Sequence, residues 1–294
     1  MERVDVRAEV REFLASRRAR LSPERAGLPL YGGNRRVKGL RREEVALLAG
    51  VSVDYYVRLE RGNLAGASEP VLDAIAAALQ LDDAERQHLH ALARACGPGT
   101  RRARRAAGPT VRPAVQQVLD AISAPAWVRN GRLDVVAMNR LARALYEPLL
   151  ADRRRPANTA RFVFLRPDAA RQVFADYDKV ARDSAAILHL EAGRSPHDPA
   201  LVELVGELST RSETFRGYWA SHDVHIHTSG RKRLRHPVVG LLDLDFEALQ
   251  LAADPGLQLN VYTAATGTPA ADALALLSSW VATQDAAGAP APAV

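Results

Sequence analysis

Basic and polar side chains that can contact nucleic acid are concentrated between residues 35 and 58. Five basic residues come first, namely Arg35, Arg36, Lys38, Arg41 and Arg42. A second group follows, made of Ser52, Val53, Asp54, Tyr55 and Arg58. Clustered cations bind phosphates without reading sequence, whereas side chains on a groove-bound helix can hydrogen-bond to base edges. The two groups therefore predict two kinds of contact with double-stranded DNA.

The elements that would position these side chains are two short helices in segment 41–62, RREEVALLAGVSVDYYVRLERG. Val45, Leu48 and Ala49 recur at the spacing of one helical face. Gly50 can adopt the left-handed conformation that ends a helix, and Ser52 can cap the next one. A helical hairpin that binds nothing shares this pattern, but the basic residues before it favour a helix-turn-helix that enters the major groove.

The positive charge lies entirely in the first part of the chain. Residues 1–111 contain 20 Arg and Lys against 14 Asp and Glu, whereas residues 112–294 contain 20 of each. The net charge of +6 therefore belongs to the first part, as expected if only that part meets polyphosphate. A length of 294 residues with 47% hydrophobic residues allows two domains, each with its own core.

The composition favours a cytoplasmic, nucleoid-associated protein. The first residues are charged and do not resemble a signal peptide. No uncharged apolar run has the length that spans a bilayer. Cys96 is the single cysteine, so an intramolecular disulfide is excluded, which fits a reducing compartment.

The chain has the pattern of two domains, a linker and a tail. Residues 1–96 predict an all-α domain of five helices, and 97–113 a basic Pro/Gly linker. Residues 114–284 predict an α+β domain, with a disordered tail at 285–294. In this second domain we expect a hairpin at 126–136 around Asn130-Gly131 and strands at 224–229, 239–246 and 257–264. The expected helices are one capped by Asn139 that carries Tyr146, one at 167–193 with a break within it left open, and others at 199–209, 213–221 and 270–283. The basic segment 230–236 is interpreted as a solvated turn, with docking to DNA, the other domain or an anionic head group left open.

The second domain also contains apolar side chains that could surround a ligand. The candidates are Trp127, Phe215, Trp219, Leu242, Leu244 and Val261. If these surfaces met completely they would form an ordinary core, whereas a gap between them would accept an acyl chain. His222 and Arg233 are the candidates for binding a carboxylate head group. The pattern predicts a largely apolar small-molecule ligand and no required cofactor.

Histidines raise the alternative of a metal site. His222, His225, His227 and His236 lie close together in the sequence, and imidazole is a good zinc ligand. No cysteine or carboxylate cluster accompanies them at ligand spacing, and basic residues surround them, so we expect no metal. We also find no nucleophile elbow, phosphate loop or paired carboxylate site, so the sequence predicts a protein that is not an enzyme.

Several segments resemble known transcription regulators. The first 95 residues resemble the xenobiotic-response-element (XRE) family, whose members are related to phage repressors. The fuller resemblance is to MmyB-like regulators, carried by GLRREEVALLAGVSVDYYVRLERG at 39–62, LDDAERQHLHALA at 81–93, SETFRGYWASHDV at 212–224 and GRKRLRHPVVGLLDLDFEAL at 230–249. The resemblance implies a lambda-repressor-like N-terminal domain and a PAS-like C-terminal domain that holds fatty-acid-like molecules.

The resemblance also implies roles for individual residues. It assigns base reading to Val53, Asp54 and Arg58, and a phosphate contact to Arg42. Tyr56 departs from the smaller aliphatic residue of related repressors. Because one recognition helix reads few base pairs, we expect a homodimer on a palindromic operator, acting as a repressor. The alternative is a DNA-binding regulator whose second domain serves only dimerisation or partner docking.

Overall fold

The structure, a computed structural model, describes residues 6–28, 37–97, 110–152, 154–224 and 228–286. The chain forms two compact units. The first consists of Met1–Arg105, His189–Val205 and Gly217–Ile226, and the second of Ala106–Leu188, Gly206–Arg216 and His227–Val294. Two segments from far along the chain therefore belong to the first unit.

Helices dominate the first unit, as the sequence predicted. They are α1 (Val6–Arg20), α2 (Arg42–Leu48), α3 (Val53–Glu60), α4 (Glu69–Ala78) and α5 (Asp83–Cys96). Their apolar faces meet in one core that includes Phe13, Leu14, Val45, Tyr56, Leu59, Ile75 and Leu89. A capping box begins α5, because Asp82 Oδ1 accepts from the Glu85 amide at 2.9 Å and Glu85 Oε2 accepts from the Asp82 amide at 3.0 Å.

The second unit contains one antiparallel sheet with the strand order β2-β1-β5-β4-β3. The strands are β1 (Ala126–Arg129), β2 (Val135–Met138), β3 (Ser229–His236), β4 (Gly240–Gln250) and β5 (Gln258–Thr263). The predicted hairpin at Asn130-Gly131 and the strands that became β4 and β5 are confirmed. Sheet and helices together form the expected α+β fold.

The interpretation of residues 230–236 as a solvated turn was wrong, because they form most of β3. In this strand Leu234 and His236 are buried, whereas Arg231, Arg233 and Arg235 are exposed. An antiparallel strand with one solvated face tolerates alternate charges, so a run rich in arginine still pairs with β4. The predicted strand at 224–229 falls largely on residues 225–227, outside the described residues.

Nine further helices follow the first five within the described residues. They are α6 (Pro113–Ala121), α7 (Arg140–Leu145), α8 (Glu147–Leu150), α9 (Thr159–Leu165), α10 (Pro167–Val173), α11 (Tyr177–Arg194), α12 (Pro199–Arg211), α13 (Glu213–Trp219) and α14 (Pro269–Ala286). The span 167–193, for which the sequence left a break open, contains two helices, α10 and α11. Most of the predicted linker and tail, at 98–109 and 287–294, lies outside the described residues. Among the described helices none combines the length and apolar character required to cross a membrane.

Candidate nucleic-acid interface and ligand cavity

The turn between α2 and α3 is built from local hydrogen bonds that the sequence had indicated. Gly50 has φ +65°, and its amide donates to the Leu47 carbonyl at 3.2 Å. The Val51 amide donates to the Ala46 carbonyl at 3.0 Å, which completes a Schellman motif. Ser52 then caps α3, because its hydroxyl accepts from the Tyr55 amide at 3.2 Å.

Helix α3, which these bonds position, has one buried face and one exposed face. Tyr56 and Leu59 are completely buried in the core, although Tyr56 is larger than the aliphatic residue of related repressors. Ser52, Val53, Asp54 and Arg58 are exposed, and Tyr55 is half-buried. The Arg58 guanidinium lies 4.7 Å from the centroid of the Tyr55 ring. The predicted base-reading residues thus share one accessible surface of α3.

The basic residues beside α2 differ in their surroundings. Lys38 and Arg41 are exposed, whereas Arg35 and Arg36 lie outside the described residues. Arg42 is half-exposed, and its Nε lies 3.1 Å from Oε2 of Glu60, a carboxylate that is only 2% exposed. Glu60 also binds Arg18, with Nη2 2.8 Å from Oε1. The sequence analysis missed Glu60, which anchors Arg42 at the end of α3.

The second unit contains a small cavity of about 30 Å³. Its lining is Trp127, Arg129, Leu133, Tyr146, Thr159, Phe174, Val180, Asp183, Ser184, Ile187, Lys232, Asn260 and Tyr262. The hydroxyls of Tyr146 and Tyr262 are hydrogen-bonded at 2.7 Å, and burial raises the pKa of Tyr146 well above its ordinary value. The Lys232 ammonium lies 5.8 Å from the Phe174 ring centroid. Aromatic rings and two cationic side chains, Lys232 and Arg129, therefore surround a space that holds at most a few water molecules.

Of the predicted ligand-binding residues, only Trp127 belongs to this lining. Phe215 is buried against Phe164, with ring centroids 5.0 Å apart, and Arg233 pairs with Asp176. Leu242 and Leu244 are buried in β4, and Val261 is half-buried in β5. Trp219 and His222 belong to the first unit.

Sequence reasoning did not assign Tyr146, Phe174, Tyr262 or Lys232 to the ligand site. Tyr146 and Tyr262 were visible as aromatics on a predicted helix and a predicted strand. Phe174 lies between α10 and α11, and Lys232 comes from the strand that was interpreted as a turn. Their convergence required the sheet order, which no local pattern contains.

Comparison with known proteins agrees with both parts of the structure. Residues 9–89 match the model of a helix-turn-helix domain, and residues 111–277 match the MmyB-like transcription regulator ligand binding domain. No curated protein matches the chain at a significant level. Both matched models describe regulator domains, so the chain is a DNA-binding transcription regulator with a ligand-binding domain. Since the second match alone covers more than half of its length, the chain belongs to the MmyB-like transcription regulators.

Proposed function

We propose that this regulator is a homodimeric repressor that binds a palindromic operator and responds to a fatty-acid-like molecule bound in its second unit. The observation that carries the proposal is the accessible surface formed by Ser52, Val53, Asp54, Tyr55 and Arg58 on α3. A regulator of this kind acts at the nucleoid, in the cytoplasm, and needs no catalytic activity.

The surface of α3 fits a DNA groove in chemical type. Arg58 can form the paired hydrogen bonds that guanidinium groups make with guanine. Lys38, Arg41 and Arg42 flank this surface, and with Arg35 and Arg36 they supply the phosphate contacts. Arg42 keeps its ion pair with Glu60 while about half of its side chain remains exposed, so one face of its guanidinium is left for a phosphate.

A homodimer follows from the small size of this surface. One recognition helix contacts only a few base pairs, and specific repressors gain selectivity by placing two helices on half-sites about 34 Å apart or a multiple of that distance. Footprinting on the DNA upstream of its own gene would then show two protected half-sites. Light scattering of the free protein should give twice the mass of the chain, and a monomer that protects one half-site contradicts the proposal.

The proposed binding site is the cavity of the second unit, in a widened form. Pockets for small molecules usually measure about 300–1,000 Å³, so side chains around the 30 Å³ cavity must move apart to admit an acyl chain. Trp127 lines the cavity, and Phe215, Leu242, Leu244 and Val261 are proposed to border the widened space. Lys232 replaces His222 and Arg233 as our candidate for the carboxylate, since it is the lysine of the lining. Trp219 is not part of this site.

Binding of the ligand is expected to alter operator affinity only if it favours one conformation of the protein. The experiment is to extract the purified protein with organic solvent, identify any lipid, and titrate fatty acids into the stripped protein. Operator affinity is then measured with and without the bound lipid. A change in affinity that follows lipid occupancy supports the proposal.

The alternative is a second unit that serves dimerisation or partner docking alone. The small volume of the cavity favours this alternative, because a filled interior needs no ligand. It predicts that no lipid is extracted, that no chain length raises the melting temperature, and that a truncated chain ending before residue 98 no longer dimerises.

A further inference from the structure

A carboxylate oxygen in the first unit is surrounded by imidazole nitrogens. Oε1 of Glu9, on α1, lies 3.1 Å from Nδ1 of His189 and 3.5 Å from Nδ1 of His222. The three ligand atoms all lie within 4.8 Å of one another. His88 Nε2, from α5, is 3.7 Å from the same oxygen. The side chains of Glu9 and His222 are 8% and 12% exposed and that of His189 is fully buried, so the cluster is shielded from water.

The second ring nitrogen of His189 and that of His222 each face a group that can only accept a hydrogen bond. His189 Nε2 lies 2.8 Å from the Trp219 carbonyl oxygen, and His222 Nε2 lies 3.1 Å from Oε2 of Glu12. Each Nε2 therefore carries the proton. In a neutral imidazole protonated at Nε2, Nδ1 presents a lone pair, and both Nδ1 atoms lie within 3.5 Å of the Glu9 carboxylate oxygen.

The atoms that converge have no conventional hydrogen bond within the described residues. Glu9 Oε1, His189 Nδ1 and His222 Nδ1 are all buried without a hydrogen-bond partner there. An ionised carboxylate only accepts, so three electron-rich atoms face one another and a positive charge is required between them.

We propose that Glu9, His189 and His222 bind a divalent metal ion, with Zn²⁺ the best match. Zinc binds histidine nitrogen and carboxylate oxygen at about 2.0–2.2 Å, usually with tetrahedral geometry, which places neighbouring donor atoms about 3.3 Å apart. The separations of 3.1 and 3.5 Å lie on either side of that value. The fourth ligand would be one water molecule or, after a small shift, His88, whose Nε2 lies 3.7 Å from Oε1 of Glu9.

The surroundings have the features of a metal site that is held in place. Metal-binding histidines generally donate their other N–H to a carbonyl or carboxylate that fixes the ring, and Trp219 and Glu12 supply these two acceptors. The His189 ring also stacks on Trp219, with centroids 3.8 Å apart and planes inclined by 10°. His222 has φ +50°, a strained conformation for a non-glycine residue that is found preferentially at functional sites.

Protonation of both imidazoles is the competing source of positive charge. It would place two imidazolium cations in a shielded site that already contains the Arg17 guanidinium, which donates to the His222 carbonyl. Arg17 itself is compensated by Glu85, 2.7 Å from its Nε. One metal ion provides the same compensation with direct bonds to all three ligand atoms and no additional buried proton.

The test uses the full-length protein purified without a histidine tag. We expect about one equivalent of zinc per chain by elemental analysis. After removal of the metal with a chelator, titration with ZnCl₂ should restore it and raise the melting temperature, because a ligand that binds only the folded state stabilises it. Binding of Co²⁺ should give the visible absorption of a four-coordinate site.

Variants then test the ligand assignment. Glu9→Gln and His189→Gln should abolish stoichiometric binding, whereas Glu12→Ala, which removes only an exposed outer acceptor, should weaken it about 10- to 100-fold. His90→Gln is the matched control, because His90 lies in the same unit and pairs with Asp73. A His225→Gln/His227→Gln double variant tests whether the neighbouring histidines of the sequence bind the metal instead.

The proposal is overturned if stripped wild-type protein binds Zn²⁺ no more tightly than Glu9→Gln, or if only the His225/His227 double variant loses the metal. If Glu9→Gln fails to fold, the comparison rests on Glu12→Ala. Equal affinities of Glu12→Ala, His90→Gln and wild type then contradict the assigned geometry, and the cluster is an imidazolium–carboxylate group.

Discussion

The guanidinium of Arg58 lies over the ring of Tyr55, 4.7 Å from its centroid, on the exposed face of α3. This cation–π contact restricts a long side chain before any DNA is bound. Because fewer conformations would be lost on binding, the contact favours the base-reading role that we propose for Arg58.

Arg58→Ala is expected to reduce affinity for the operator by about 1–3 kcal/mol and to relax the preference at one base step. Fluorescence anisotropy on the operator and on random DNA of equal length would measure both effects. Arg61→Ala is the matched control, since Arg61 is exposed just after the end of α3. Equal losses on both DNAs for Arg58→Ala contradict the base-reading role.

Lys38→Ala should weaken binding to every sequence alike, because a phosphate contact does not distinguish bases. The slope of log affinity against log salt should become shallower by about one unit. Arg42→Ala is expected to have the same signature. A change in base preference with an unaltered salt slope would show that these residues do not act through phosphates.

Because the Glu60 carboxylate is buried, we expect its two arginine partners to differ in how much each stabilises the fold. Arg18→Met should lower the free energy of unfolding by about 3 kcal/mol or more, because it leaves a buried carboxylate short of a partner. Arg42→Met should cost no more than about 1 kcal/mol, since the Arg42 side chain is 51% exposed and exposed pairs contribute little. Urea unfolding distinguishes the two, and equal costs would refute the central position of Glu60.

Two glycine-to-alanine substitutions should change the free energy of unfolding in opposite directions. An added Cβ meets no atom within 4 Å at either Gly50 or Gly206. Gly50→Ala is expected to destabilise by about 1–2 kcal/mol, because φ +65° is a left-handed conformation. Gly206→Ala, within α12, should stabilise by up to about 1 kcal/mol. Thermal unfolding of both variants measures the difference, and a stabilising Gly50→Ala would contradict the Schellman geometry.

Ligand-binding measurements can distinguish the role of Lys232 from that of Arg233, its neighbour in β3. Lys232→Met should reduce the affinity for a long-chain fatty acid by about tenfold or more, as expected for loss of a hydrogen bond to a charged group. The affinity for the corresponding long-chain alcohol should not change. Arg233→Met is the control, because Arg233 is exposed and paired with Asp176. If the substitution reduces the affinities for the acid and the alcohol equally, Lys232 does not bind the carboxylate.

The local elements of this protein could be predicted from its sequence. Gly50 and Ser52 define the helix-turn-helix because a left-handed residue and a hydroxyl cap act within one turn of chain. The pair Asn130-Gly131 predicts its hairpin for the same reason. In each case the atoms that interact belong to residues a few positions apart, so the order of residue types is sufficient.

Tertiary structure alone decided the arrangement of the distant groups. Residues 230–236 became a strand because β4 offered a partner whose pairing leaves the arginines on a solvated face. The cavity depends on the order of strands in the sheet. Glu9 meets His189 and His222 although about two-thirds of the chain separates them, and no spacing in the sequence encodes such a contact. Short-range hydrogen bonds follow from neighbouring residues, whereas convergence of side chains follows from how the whole chain packs.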